Sequence, residues 1–386
     1  MEVPREKSGG RGFTRPGRVL VVPDKFRGTL TSGEAARAIV RGLRRVWPDA
    51  EFTECGLSDG GEGFARLLTK ATEGVWHRMR SSDAAGHPCV AGWGMLGDGC
   101  TAVLDLATAS GLEQLPARQR RPLRTSTLGT GMVLRRAINS GARTVVVGLG
   151  GSATNDGGVG VAAALGWRFL KRTGEPIAPT GGGLAELVRI EPPECVPGAR
   201  IIAATDVTNP LLGMNGAAHE FGPQKGASRA EVRMLDAALR RLARIAGRDL
   251  GHRHENDPGA GAAGGCGYGL VTFLGAQLES GFDLFSRLSG LAARIASHDL
   301  VVTGEGCLDV TTLCGKAPYR VALLAREHKR PIWGVFGRST LAGAPPQFAR
   351  IATVLADGRA PLSQVSGRVH ADRLAAAAAV LARSAE

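Results

Sequence analysis

Buried, β-branched runs separated by helix-length segments occur at both ends of this chain, and this alternation restricts the fold more than any other feature. The N-terminal part reads GRVLVVPD (17–24), then a helical pattern from about Ser32 to Val46, then AEFTECGLSD (50–59). The C-terminal part adds HDLVVTGEG (298–306), RPIWGVFG (330–337) and ARIATVLAD (349–357), with helical patterns between and after them. Strands that alternate with helices predict a parallel sheet with helical crossovers.

These five strands predict an α/β fold, namely a flavodoxin-like doubly wound parallel sheet of order 2-1-3-4-5 with a second α/β domain inserted into it. A chain of 386 residues is long for a single core, which favours two domains. The expected divisions are a disordered lead-in at 1–16, a discontinuous domain at 17–63 and 285–386, and an inserted domain at 64–284 that carries the glycine-rich loops.

Charge and composition exclude several classes of function. The net charge of +13 comes mostly from arginines spread along helices, and five Trp, two Tyr and eleven Phe offer few stacking platforms. We therefore expect no nucleic-acid partner, although the positive field suits a small polyanion. No apolar run approaches a membrane span, the first residues lack the apolar segment expected of a secretory signal, and seven cysteines lack a disulfide or zinc pattern. The sequence predicts a cytoplasmic protein with no membrane partner.

Charged residues stand where the predicted strands end. Asp24 and Lys25 follow the first strand, Asp59 ends the second, and Glu305 ends the third. Ligands of open α/β sheets bind outside the carboxyl ends of the strands, at the point where the winding direction changes. The sequence therefore predicts that three carboxylates and one lysine meet at one crevice of the first domain.

The segment TVVVGLGGSATNDGG (144–158) has the context that an anion site requires, because it follows a strand and precedes a helical pattern. Gly148, Gly150 and Gly151 allow the backbone to approach an anion, while Ser152 and Thr154 supply hydroxyl donors. In the same loop, a metal ion or a substrate hydroxyl group is expected to be held by Asn155 and Asp156. The alternative is a tight strand–helix turn capped by its Asn and Asp side chains.

Three further loops carry candidate site residues. The segment HEFGPQKGAS (219–228) places Lys225 in a rigid turn, where it either contacts an anion or is simply solvated. Asp206 ends the strand of ARIIAATD (199–206). The loop GEGCLDVTTLCGKAP (304–318) adds Asp309 and Lys316 to Glu305, and Asp309 has the alternative of capping the loop.

Two common nucleotide motifs are not supported. The P-loop pattern fails because Val310 and Ala317 stand where a glycine and a hydroxyl residue are required before and after Gly315-Lys316. The pattern G-x-G-x-x-G occurs at 259–264, but it follows the polar segment GHRHEND and not a strand.

Seven segments occur in the order typical of one family: PDKFRGTL, DGGEG, GLGGSATNDGG, TDVTNPLLG, FGPQKGA, PGAGAAGG and GEGCLD…GK. From about Arg18 to the C-terminal helix, the chain resembles bacterial glycerate kinases of the glycerate 2-kinase type. The resemblance implies ATP-dependent phosphorylation of D-glycerate to 2-phosphoglycerate, in a cleft between two α/β domains, by a monomer or homodimer. The chain departs from the family pattern at Cys307, where an arginine is common, and at Phe64, where a threonine is common.

Phosphoryl transfer needs in-line positioning and charge neutralisation, commonly with Mg²⁺ on the phosphates. The expected catalytic residues are Asp59, its rival base Asp206, and Lys25. The expected phosphate ligands are Gly148, Gly150, Gly151, Ser152, Thr154 and Lys225. Substrate contacts are expected from Asp24, Arg27, Asn155 and Lys316, and metal contacts from Asp156, Glu305 and Asp309.

Other functions fit parts of the same pattern. GLGGSAT resembles the phosphate loop of the GHMP kinases, although the proline that precedes it in those enzymes is absent and parallel strands do not suit their fold. A kinase of another small hydroxy acid and a non-catalytic sensor of nucleotides or organic acids are the remaining alternatives. Convergent acidic residues favour the kinase, since a sensor does not need them.

Overall fold

The computed structural model describes residues 14–26, 28–195, 198–354 and 366–386. The chain divides into two compact units, one formed by the segments up to Leu57 and from Leu291 to Glu386, the other by Ser58–Gly290. Residues 58–63 and 285–290 thus fall in the second unit and not in the first, where the sequence had placed them. Most of the expected lead-in at 1–16 lies outside the described residues; at its end, Arg15 pairs with Glu386.

The elements follow one another in this order. The chain begins with β1 (Arg18–Val21), α1 (Ser32–Arg44) and β2 (Glu51–Glu54). The second unit contains α2 (Phe64–Ala71), β3 (Val75–Ser82), β4 (Pro88–Met95), β5 (Thr101–Asp105), α3 (Ala107–Ser110), α4 (Leu128–Asn139), β6 (Thr144–Gly148), α5 (Val159–Ala164), β7 (Arg168–Leu170), β8 (Arg189–Glu191), β9 (Arg200–Ala204), α6 (Ala217–Phe221), α7 (Arg229–Asp249), α8 (Ala262–Leu274), β10 (Gln277–Glu279) and α9 (Gly281–Ser289). The first unit resumes with α10 (Leu291–Ala296), β11 (Leu300–Thr303), β12 (Cys307–Leu308), α11 (Val310–Leu313), α12 (Ala317–Glu327), β13 (Ile332–Phe336), β14 (Arg338–Ser339), β15 (Arg350–Thr353) and α13 (Gly367–Arg383).

The main sheet of the first unit has the order β2-β1-β11-β13-β15, and all its pairs are parallel. Numbered within this unit, the order is 2-1-3-4-5, so the predicted doubly wound sheet is confirmed. Its helix α1 begins as the sequence suggests, because the Thr31 side chain accepts from the Glu34 backbone N–H in a capping box. The apolar faces of α1 and α13 then pack with the strands into one buried core.

The main sheet of the second unit has the order β10-β9-β6-β5-β4-β3. The strands from β10 to β5 are parallel, and β4 and β3 add an antiparallel pair at the edge. The carboxyl ends of β5, β6, β9 and β10 therefore share one edge of the sheet. Ligands of such sheets bind at this edge, and most of the candidate residues of this unit follow these strands.

Within the part of the chain that the structure describes, no helix combines the length and the apolar character that a bilayer span requires.

Candidate active site

The glycine-rich loop after β6 packs against the loop that precedes α2. The Gly150 N–H donates to the Gly60 carbonyl at 3.0 Å, and a Cβ on Gly150 would overlap the Cα of Gly61. Gly60 itself has a φ of +87° and lies against the Ala204 carbonyl, 2.9 Å from where its Cβ would stand. These glycines are therefore required for backbone-to-backbone packing, whether or not an anion binds beside them.

Replacing Gly150 with alanine is expected to lower the free energy of unfolding by about 2 to 3 kcal/mol, because the methyl group would force the two loops apart. Urea unfolding measures the change. Gly198→Ala is the matched control, since no atom of another described segment lies within 4 Å of where its Cβ would stand. Equal stability of the two variants would contradict the close packing of the loops.

The two carboxylates expected to compete as the general base border the same helix start. The Asp59 carbonyl lies against Gly281 so closely that a Cβ there would overlap it. Asp206 accepts from the Ser280 hydroxyl at 2.7 Å and from the Phe282 N–H at 3.2 Å. The structure thus brings Asp59 and Asp206 together around the first residues of α9.

The two carboxylates differ in how much of their hydrogen-bonding capacity is used. Half-buried Asp59 accepts at Oδ1 from the Gly61 N–H at 3.2 Å, and within the described residues its Oδ2 accepts nothing. Both oxygens of Asp206 accept from the first turn of α9. Asp59 is therefore the better placed of the two to take a proton.

The sequence analysis missed Asp105, the last residue of β5. Its buried carboxylate accepts from the Gly63 N–H and the Ala65 N–H, both at 2.9 Å. These N–H groups belong to the start of α2, where a carboxylate offsets the unpaired donors and the helix dipole. Asp105 thus fixes the loop that carries Asp59. The segment TAVLD, which ends at Asp105, was the available signal, because its apolar residues indicate a buried strand that ends in a carboxylate.

Lys225 lies inside the second unit and not in solvent. Only 2% of the residue is exposed, and its Nζ donates to the Ser152 hydroxyl and to the Thr154 carbonyl, each at 2.7 Å. The structure therefore brings together three of the residues expected to bind phosphate. In this arrangement Lys225 supports the glycine-rich loop from within, and its phosphate contact stays a prediction.

Burial lowers the pKa of Lys225 to about 7 from its ordinary 10.5, although the Asp156 carboxylate opposes the shift. Between these two values the folded protein binds fewer protons than the unfolded chain, so stability should rise with pH. We expect Lys225 to contribute up to about 1.4 kcal/mol per pH unit in this range. Urea unfolding from pH 7 to 9 should show a free energy of unfolding that rises with pH. Lys225→Met should lose this dependence on pH. Lys70→Met, at an exposed lysine, should keep it.

Asp156 is fully buried and accepts four hydrogen bonds. The donors are the Thr127 N–H and hydroxyl, both at 2.8 Å, and the N–H groups of Gly158 and Gly160 at 3.2 and 3.3 Å. The carboxylate thereby joins the starts of α4 and α5. These contacts give Asp156 a structural task and provide no support for its predicted role as a metal ligand.

Asn155 and Thr154 leave polar atoms without partners. Both residues are fully buried, and in the described part of the chain Asn155 Oδ1 and Thr154 Oγ1 have no hydrogen bond. Asn155 Nδ2 makes only a long contact of 3.5 Å to the Ala217 carbonyl. Asn155 has no accessible surface in the structure, which gives no support to its predicted contact with substrate. The contact stays a prediction.

In the first unit, the loop after β11 forms a charged cluster. The Thr312 hydroxyl donates to Glu305 at 2.8 Å, and Lys316 Nζ lies 3.2 Å from Asp309 and 3.7 Å from Glu305. Burial raises the pKa of Glu305, whereas the Thr311 hydroxyl and Lys316 lower the pKa of Asp309 to about 2. Asp309 also caps α11, which is the alternative considered for it from the sequence.

The end of β1 lies beside the end of β11, as the sheet order requires. The Asp24 N–H donates to the Gly304 carbonyl at 2.8 Å, next to Glu305. Lys25 is half-buried, and its Nζ has no hydrogen bond or ion pair within the described residues. The first unit thus brings Asp24, Lys25 and Glu305 to one edge, while Asp59 belongs to the second unit. Arg27 lies outside the described residues.

A preformed metal centre is not seen in the residues that the structure covers. Among them, no group of three or more His, Cys, Asp or Glu side chains could hold a metal ion. The pair Glu305 and Asp309 remains the only part of the predicted metal set that shares one loop.

Taken together, these loops define an α/β protein whose polar groups follow the carboxyl ends of its strands, as in enzymes that act on small anionic ligands. A sequence model of the glycerate kinase family matches residues 19–385. The chain belongs to the glycerate kinase family, and it is a kinase.

Named relatives agree with this assignment. The chain is 42% identical over 322 residues to a glycerate kinase of Halalkalibacterium halodurans. The aligned region covers 83% of this chain and 85% of that protein. It is 40% identical over 326 residues to the glycerate 2-kinase of Escherichia coli K12, and the match covers 84% of this chain and 86% of that protein. A crystal structure assigned as glycerate kinase 2 from Salmonella typhimurium LT2 superposes with a TM-score of 0.81 and 37% identity, over 96% of this chain and 98% of that one.

Proposed function

We propose that this protein phosphorylates D-glycerate at its 2-hydroxyl with ATP, giving 2-phosphoglycerate and ADP. The observation that carries the proposal is Asp59, a half-buried carboxylate beside the glycine-rich loop with one oxygen that accepts nothing from the residues that the structure describes. The 2-hydroxyl is chosen because the glycerate 2-kinase of Escherichia coli is 40% identical to this chain.

In the proposed reaction Asp59 Oδ2 accepts the proton of the 2-hydroxyl as the hydroxyl oxygen bonds to the γ-phosphorus. The bond between that phosphorus and the β–γ bridging oxygen breaks, and ADP leaves with the electron pair. A positioned carboxylate is suited to this task because it orients the hydroxyl and removes its proton only as the new bond forms. Asp206 is a weaker candidate, since α9 uses both of its oxygens.

The donor phosphates are assigned to the glycine-rich loop of the second unit, where Gly151 has a φ of +75°. The Leu149, Gly150 and Ala153 N–H groups already donate to carbonyl groups of other segments, so the proposed phosphate donors are the N–H groups of Gly151 and Ser152. Lys225 supports this assignment indirectly, because it fixes Ser152 and the Thr154 carbonyl. The phosphate role of the loop is thus a task for its backbone and the Ser152 hydroxyl.

A magnesium ion fits the residues of the first unit if it arrives on the nucleotide. Mg²⁺ bound by phosphates and water needs only one or two protein carboxylates, and Glu305 and Asp309 supply two in one loop. When bound, the ion would neutralise charge on the transferred phosphoryl group. Asp309 is suited to this role because a carboxylate is ionised at neutral pH and this side chain is partly exposed.

The glycerate carboxylate requires a cation. Lys25 is suited to this role because its half-buried Nζ has no partner in the described part of the chain. Lys316 is the second candidate, although it already pairs with Asp309 and Glu305. Lys25 and Lys316 are therefore the first and second candidates to bind the glycerate carboxylate, and Arg27 is a third candidate from the sequence.

The decisive experiment is turnover of D-glycerate with ATP and Mg²⁺, with products resolved by ³¹P NMR. Formation of 2-phosphoglycerate and ADP is expected. Formation of 3-phosphoglycerate would overturn the choice of hydroxyl and leave the kinase activity intact. Faster turnover of another small hydroxy acid than of D-glycerate would instead identify a kinase with a different substrate.

A further inference from the structure

A pocket of about 380 Å³ opens in the second unit, on the face of the β3–β4 pair that carries Trp76, Arg78 and Arg80. It lies next to the edge where β5 ends, because Ala107 and Thr108 of α3 form part of its wall. Its volume is within the range of small-molecule sites and far exceeds what a three-carbon acid such as glycerate would fill. The residues that matter most for its chemistry are Glu62, Arg66, Trp76, Arg78, Gly92 and Thr108.

The floor of this pocket depends on a glycine. Gly92 stands opposite Arg78 in the β3–β4 pair, and a Cβ on it would come within 2.6 Å of the Trp76 ring. The Gly92 N–H donates to the Thr108 hydroxyl at 2.8 Å, which ties the floor to α3. The absence of a side chain at this position leaves room for the indole and for the cavity beside it.

The walls combine a flat aromatic group with the side chains of two arginines, and the Glu62 and Asp105 carboxylates also line the pocket. The Arg66 guanidinium carbon lies 4.3 Å from the centre of the Trp76 ring, so the two groups stack. The Trp76 Nε1 is buried and, within the described residues, has no hydrogen-bond acceptor. Arg78 is exposed on the same face. Stacked flat groups beside arginine donors suit a planar heterocycle that carries ring acceptors.

The pocket lies beside the glycine-rich loop. A Cβ on Gly151 would stand 3.4 Å from the Ala107 Cβ and 3.9 Å from the Glu62 Cβ, and both residues line the pocket. A ligand with phosphates at Gly151 and a ring system attached to them would therefore extend directly into the pocket. A nucleoside triphosphate has this combination.

We propose that this pocket binds the nucleoside part of the phosphoryl donor, with the base on the Trp76–Arg66 stack and Arg78 donating to the base or ribose. This inference rests on the proposed function, which assigns the donor phosphates to the glycine-rich loop. It adds the position of the nucleoside and the residues that determine nucleotide preference.

Arg78→Ala tests the inference, and Arg80→Ala is its matched control. Arg80 is exposed on the same face two residues along β3 and does not line the pocket. We expect Arg78→Ala to raise the KM for ATP about tenfold, with kcat and the KM for glycerate within about twofold of the unmodified enzyme. Arg80→Ala should leave all three parameters unchanged. A rise in the glycerate KM alone, or equal effects of the two variants, would overturn the inference.

Calorimetry with adenosine and with ADP separates this inference from the proposed reaction, because it does not depend on turnover. Weaker binding of both ligands to Arg78→Ala than to Arg80→Ala is expected. Weaker binding of ADP alone would place a phosphate at Arg78 and overturn the nucleoside assignment. If binding behaves as expected but glycerate is not phosphorylated, the proposed function fails while the pocket still binds the nucleoside.

Discussion

Replacing Asp59 with asparagine is expected to lower kcat for glycerate phosphorylation by about 10²- to 10⁴-fold, the usual effect of removing a general base. Asparagine preserves the shape and the contact with the Gly61 N–H, so the fold should be retained. The amide oxygen that replaces the carboxylate accepts a proton far too weakly to serve as a base. Steady-state kinetics at saturating ATP and glycerate, with circular dichroism to check folding, measures the effect.

Asp206→Asn provides the comparison, because Asp206 borders the same helix start. Its carboxylate is held by Ser280 and Phe282, so we expect a smaller loss of kcat together with a lower unfolding midpoint. If Asp206→Asn lowered kcat more than Asp59→Asn, Asp206 would be the base and the assignment made here would be wrong. Turnover of Asp59→Asn within a few fold of the unmodified enzyme would also reject Asp59.

Replacing Asp156 with alanine is expected to lower the free energy of unfolding by about 3 to 5 kcal/mol. The change would leave the Thr127, Gly158 and Gly160 N–H groups and the Thr127 hydroxyl without their acceptor inside the protein. Urea unfolding at constant pH measures the loss. Asp156→Asn should lose less, because its amide oxygen still accepts.

Asp372→Ala is the surface control for this experiment. Asp372 pairs with Arg41 at the surface, with 61% of its side chain exposed, and its loss should change stability by less than about 1 kcal/mol. If Asp156→Ala unfolded at the same urea concentration as the unmodified enzyme and lost only activity, Asp156 would act on substrate or metal, as the sequence first suggested.

Much of the fold could be predicted because the elements of the first unit carry strong local signals. The strands that become β1, β11 and β13 are buried apolar runs, and α1 has its capping residues in place. Their alternation with helices restricts the order to few possibilities, and the order 2-1-3-4-5 is confirmed. The structure divides between Leu57 and Ser58, a few residues before the expected boundary, because the division depends on which loops pack together and not on any local pattern.

Site residues were harder to place because their environment is set by distant segments. Lys225 has the sequence context of a solvated loop residue, yet it is buried against residues about seventy positions earlier in the chain. The glycines at 148–151 resemble an anion site, yet a Cβ on Gly148 or Gly150 would lie closest to backbone atoms of residues 60 and 61. No local pattern distinguishes a glycine needed for a ligand from one needed for packing.

By itself the sequence determined the family and, in the first unit, the strands, the helices and the sheet order. These depend on local periodicity and on long ordered motifs. Only the tertiary structure decided that Asp59 keeps an oxygen without a partner among the described residues, that Asp206 and Asp156 use both of theirs, and that a pocket opens beside Gly92. Hydrogen bonds and close backbone contacts between segments far apart in the chain determine these features. Such contacts depend on three-dimensional proximity, which residue spacing does not encode.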